Sequence, residues 1–168
     1  MTWRVPTSLQ GVNSLAIGIA SDWGAKRMST ALDQRTGPYA ALLLRVVLGV
    51  LFIAHLYWKF FVLEGGIARW WRDFATSGYP GLVPYYVISA ELVGALCLIP
   101  GLYARWAALY AVPMMIGAAH FWSVRKGFYF VAAGSELPVV WSVMLIVQAL
   151  LGDGIWAARS STFRLHRV

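Results

Sequence analysis

Arg45, Leu48, Phe52, His55 and Lys59 follow one another at steps of three, four, three and four inside the first long apolar segment. That spacing places all five on one face of a helix. A charged side chain at the centre of a bilayer costs roughly 2.5–3.5 kcal/mol even on gentle insertion scales. Three ionisable groups on one stripe therefore have to face protein, a polar cavity or partner carboxylates. Lipid would not hold them.

The segment is too apolar for a soluble chain. Of the 168 residues 60% are hydrophobic and only 12% charged, with a mean hydropathy of +0.64. A bilayer span needs about 20 mostly apolar residues. Four stretches qualify: roughly Tyr39–Phe61, Leu82–Ile99, Tyr103–Trp122 and Leu137–Trp156. Short connections between them predict an all-α protein, a four-helix transmembrane bundle whose partner is the lipid bilayer.

The net charge of +7 does not form a nucleic-acid-binding face. Eight cations collect at one end: Arg4, Lys26, Arg27 and Arg35, then Arg105, then Arg159, Arg164 and Arg167. Four lie in the two opposite loops: Arg69, Arg72, Arg125 and Lys126. The positive-inside rule then predicts both termini in the cytoplasm. Residues 1–36 read as a flexible cytoplasmic tail with a weak apolar patch at Leu15–Ala20, residues 37–159 as the membrane domain and 160–168 as a basic tail. The first apolar run is long enough to stay as an anchor, so no cleaved leader is expected. Cys97, the sole cysteine, lies in an apolar segment and reads as a packing thiol.

In the first outer loop, Ile67, Trp70, Trp71 and Phe74 recur at helical spacing, with Arg69, Arg72 and Asp73 mainly elsewhere on the wheel. Gly66, Gly78 and Pro80 bracket the stretch. A short interfacial helix is predicted there, either an aromatic anchor or a lid over a cavity. Pro113 predicts a kink in the third span.

At about 1.5 Å rise per residue, His55, His120, Lys59 and Glu136 fall in one layer, roughly 7–15 Å to the outer side of mid-span. Glu91 lies near the middle and Arg45 on the inner side. The expected pairs are Lys59 with Glu136 and Arg45 with Glu91, the second a structural brace. His55, Lys59, His120 and Glu136 are then the catalytic candidates. Trp58, Phe121 and Trp122 are candidate walls of a cofactor groove. A haem b held by His55 and His120 is disfavoured, because two histidines without a repeat are weak evidence. A zinc site has too few carboxylates at that level, and no phosphate loop or Ser nucleophile motif is present.

The motifs run in a recognisable order. Leu44-Arg45, Leu48-Gly49, His55 and Lys59 come first, then Phe74, Gly78 and Pro80. Glu91-Leu92-Val93-Gly94-Ala95-Leu96 and Ile99-Pro100-Gly101-Leu102-Tyr103-Ala104-Arg105 follow. His120, Gly127-Phe128, Gly134-Ser135-Glu136 and Leu151-Gly152-Asp153-Gly154 complete the series. Over about residues 39–159 this resembles the DoxX family of bacterial four-helix membrane proteins. Arg45, His55, Lys59, Glu91, His120 and Glu136 match that family's polar positions. Leu56 stands where a small Gly is common, and Ala157-Ala158 replaces an acidic ending. The resemblance implies a multi-pass protein of the bacterial inner membrane, oxidoreductase-associated. Some relatives are linked to thiosulfate:quinone or quinol oxidation and redox stress, and many have no defined activity.

Two functions remain open. One is a membrane subunit of a redox system that binds a quinone, or a similar small hydrophobic molecule, in an outer-leaflet polar cavity. No electron-carrier motif is present, so that reading requires a redox partner protein. The alternative is a non-catalytic scaffold or small-molecule carrier with a docking tail.

Overall fold

The computed structural model describes residues 35–161. The chain divides into a unit of residues 1–37 and another of 38–168. The N-terminal tail through residue 34, with its Leu15–Ala20 patch, and residues 162–168 lie outside the described residues.

Every regular element among the described residues is helical. They are α1 (Arg35–Val62), α2 (Gly66–Ala75), α3 (Val83–Leu98), α4 (Ala104–Lys126), a 3-10 turn at Phe130–Ala132 and α5 (Glu136–Leu151). By length and composition α1 and α4 can cross a bilayer. The apolar helices α3 and α5 hold 16 residues each, about 24 Å of helix.

α5 stops at Leu151, before the expected Trp156. Gly152 takes φ +84°, a left-handed conformation that favours glycine, and its N–H closes on the Gln148 carbonyl. Leu102 and Arg159 form an isolated bridge just past that point. α1 begins three residues before Pro38, so the proline falls in the first turn, where a missing N–H costs little. α4 runs unbroken through Pro113.

The core follows the stripe. Leu48 and Phe52 of α1 meet Ala90, Ala95 and Leu98 of α3, Ala107, Ala108, Ala111, Met114 and Met115 of α4, and Leu145 and Ala149 of α5. Alanine and glycine let the backbones approach. A methyl at Gly94 would collide with the Phe52 ring, and one at Gly49 with Ile99. Tyr86 and Ser89 of α3 add polar contacts to α4. Tyr86 Oη donates to the Tyr110 carbonyl at 2.6 Å, and Ser89 Oγ lies 2.9 Å from Tyr110 Oη. Cys97 is half-buried with a free thiol.

Candidate functional site

At the far end of α1 the helix widens. The Leu63 N–H bonds the Trp58 carbonyl at 2.8 Å, five residues back, and Trp58–Val62 form a π turn. Such turns often mark functional positions. This one carries Lys59, which is 5% exposed and belongs to the buried stripe. Its ammonium donates to Glu91 Oε1 from the middle of α3. Lys59 Nζ also lies 5.1 Å from the centroid of the Trp70 ring in α2. The amphipathic pattern of α2 explains the reach. Its polar residues Arg69, Arg72 and Asp73 are exposed, while Ile67, Trp70, Trp71 and Phe74 are half-buried. Trp71 packs edge-on against Tyr85 of α3, and Phe74 lies parallel to Phe121 of α4.

Glu91 is 3% exposed, and its second oxygen, Oε2, is buried without a partner. An orphaned buried acceptor costs about 1–3 kcal/mol, more for a charged group. His55 stands beside the pair, its Nδ1 3.9 Å from Glu91 Oε1. Its side chain is 54% exposed and its ring lies 4.8 Å from that of Trp141 in α5. The arrangement therefore offers a buried donor, an unpaired carboxylate oxygen, and an exposed imidazole that can donate or accept a hydrogen bond.

The expected pairings differ from those observed. Arg45, 1% exposed, does not reach Glu91. Its Nη1 donates to the Leu98 and Ile99 carbonyls at 3.0 and 2.7 Å, and its Nη2 to the Ile155 and Trp156 carbonyls at 2.9 and 3.1 Å. The last carbonyls of a helix lack intrahelical partners and carry its negative dipole end. Leu98 lies seven residues past Glu91, about 10 Å farther along α3, so Arg45 sits at the wrong level for the carboxylate. Gly101, at φ +73°, makes room for the guanidinium.

Glu136 does not meet Lys59 either. From the first position of α5 its Oε2 accepts the Phe130 N–H at 2.9 Å and steadies the loop before the helix. His120 is exposed and pairs with Tyr79, Nδ1 to Oη 3.1 Å. Phe121 lies against Tyr79 and Trp122, and Arg125 stacks over it at 3.8 Å. Trp58 is 46% exposed on the outside of the π turn. Among the described residues, no hydrogen bond or ion pair joins His120 or Glu136 to His55, Lys59 or Glu91. Trp70, Tyr79 and Trp141 were absent from the sequence-based set. Only the aromatic spacing of α2 pointed toward one of them.

A second polar centre lies beyond the helices at the near end. Asp153 Oδ1 accepts the Ala104 N–H at 2.9 Å and the Ser161 hydroxyl at 2.5 Å, while Oδ2 accepts the Ser161 N–H at 2.5 Å. It thus satisfies the start of α4 and ties down the segment that follows α5. Burial pushes the Asp153 carboxyl up, but the Ser161 and helix N–H hydrogen bonds outweigh it and hold the group below the usual range.

The match to known proteins covers α1 through α4, including Arg45, His55, Lys59 and Glu91. The DoxX family model matches residues 40–125, from the body of α1 to the end of α4. The chain belongs to the DoxX family. An uncharacterized protein of Haemophilus influenzae is 35% identical over 130 residues, covering 76% of this chain and 93% of that one. A Bacillus subtilis protein named "Putative oxidoreductase CatD" is 34% identical over 77 residues, covering 46% of this chain and 54% of that one. No solved structure matches. Membership of this membrane-protein family, with two helices apolar enough to span, places the DoxX-type chain in a membrane.

Proposed function

We propose that α1, α3, α4 and α5 all cross the bilayer as a four-helix bundle, with α2 at the outer interface. α3 and α5 are short, but their apolar sequences and the helix–helix core they share with α1 and α4 support the reading. The distribution of Lys and Arg favours cytoplasmic termini, and the bacterial relatives favour an inner-membrane setting.

Within that frame the chain is a membrane subunit of a quinone-linked redox system. The observation that carries this reading is the Lys59–Glu91 pair, buried at a π turn and flanked by His55, with one carboxylate oxygen left unpaired. A quinone head needs a few polar groups at the end of an apolar site, and Trp70 and Trp141 supply flat walls around these. Lys59 would hold a ring oxygen by a hydrogen bond, Glu91 would hold or release a proton, and the exposed His55 would exchange it with the surroundings. A bound quinone would supply the electron chemistry, and a partner protein would carry the electrons on. His120 with Tyr79, the Phe121–Trp122 pair and Glu136 form the rim toward the loops. The name of the Bacillus subtilis relative agrees with such a role.

The test is mass spectrometry of quinones retained by detergent-purified protein. Wild type should carry quinone, and Glu91→Gln and His55→Ala should carry much less at unchanged helicity. Equal retention in both variants would sink the assignment.

A further inference from the structure

At the near end, away from Lys59, α4 and α5 leave a groove of about 470 Å³. Its walls are Trp106, Leu109, Ile146, Ala149 and Leu150, and its mouth is formed by Arg105 and Ser161. Trp106, Leu109, Ile146 and Leu150 are all exposed apolar side chains on the outer surface of the helices. Among the described residues nothing accepts a hydrogen bond from the Arg105 guanidinium, and its Nε is buried without a partner. An open apolar groove beside an unpaired cation has the chemistry of a phospholipid site.

We propose that this groove binds one anionic phospholipid, its acyl chain along Leu109, Ile146 and Leu150 and its phosphate on Arg105. Charge complementarity selects the anionic headgroup. Arg159, stacked over Tyr103 at 5.3 Å, adds a second cation at the same end. Asp153 is the only carboxylate there among the described residues. Its two oxygens accept from Ala104 and Ser161, and its single negative charge leaves the cations Arg105 and Arg159 in excess. Guanidinium groups bind phosphate oxygens through paired N–H donors, and Trp106 suits the headgroup level. The site rests on the membrane assignment alone and is independent of quinone binding. With cytoplasmic termini, it faces the cytoplasmic leaflet.

The experiment uses the full chain, delipidated in neutral detergent and titrated with phosphatidylglycerol or phosphatidylcholine under native mass spectrometry. One well-placed arginine predicts about five-fold stronger retention of phosphatidylglycerol. Arg105→Gln should bring the two lipids to parity, and Ile146→Trp should lower phosphatidylglycerol retention with the arginine intact. Both variants are checked for wild-type helicity and monodispersity. Glycerol phosphate, which lacks the chains, should not be retained. Retention of glycerol phosphate as strong as that of the lipid would overturn the groove. Equal binding of the two lipids by wild type, or a preference that survives Arg105→Gln, overturns the site. A chain ended after Ser161 should keep the preference; losing it would move the contact to Arg164 and Arg167 and contradict the assignment.

Discussion

The first helix buries a cation at each end, and the two are treated in opposite ways. Arg45 donates to four backbone carbonyls drawn from the end of α3 and the segment after α5. These groups need a donor, and a guanidinium fork supplies two nitrogens to two pairs of them. Lys59 has a single carboxylate partner, in a widened turn, and that carboxylate keeps one buried oxygen unpaired. Each centre keeps one buried atom without a partner, Arg45 Nε and Glu91 Oε2, and only the second is an acceptor on a carboxylate flanked by an exposed imidazole.

The largest effect should come from Arg45→Ala. It leaves four carbonyls without their donor, one buried and three part-buried, and opens a cavity, a loss on the order of 4 kcal/mol. Denaturation in mild detergent checks this, and a loss below about 1 kcal/mol would remove Arg45 from the role of brace. Glu91→Ala should follow at about 3 kcal/mol, since it strands a buried ammonium. The double variant Lys59→Met/Glu91→Leu should recover most of that stability, because an ion pair of this kind adds little over well-packed apolar residues. A double variant as unstable as the single would make the pair a second brace and erase the contrast. Gly94→Ala drives a methyl into the Phe52 ring between the two centres, an overpacking cost of about 1–3 kcal/mol.

Asp153→Asn should have the smallest effect, about 1 kcal/mol at neutral pH, as for a helix-capping side chain. Its pH dependence has a definite sign. The Asp153 carboxyl is held below its ordinary value, about 3.9 in an unfolded chain. Its contribution is therefore fully present above that value and is lost as pH falls through the lower folded-state value. The difference in melting temperature between wild type and Asp153→Asn should shrink as the pH is lowered toward 3. A gap that widens on acidification would contradict the hydrogen-bonded carboxylate.

Much of the frame could be read from the residues. The three-four spacing of Arg45, Leu48, Phe52, His55 and Lys59 marks the buried face of α1 at every position but His55, whose side chain is 54% exposed. The alternation around Trp70 and Arg72 identified α2. The errors arose where one residue changes register or a distant segment returns. Charge pairs inferred from height alone assume uniform helices with aligned centres. The orphaned carbonyls at Leu98 and Ile99 compete for Arg45, and that competition appears only once α3 has an end. A π turn has no sequence period of its own, so Lys59 could not be placed beside Glu91. The Gly152-Asp153-Gly154 stop was visible, but the role of Asp153 depends on Ser161 folding back to the start of α4.

The contrast between the two ends of α1 comes down to one pair of preparations. Wild type and Lys59→Met/Glu91→Leu are purified side by side, matched for thermal stability, and their retained quinone is quantified by mass spectrometry. The account predicts that the double variant folds as wild type does and has lost its quinone. A double variant that is equally stable and equally loaded would show that the buried pair is structural and that the ligand, if any, binds elsewhere.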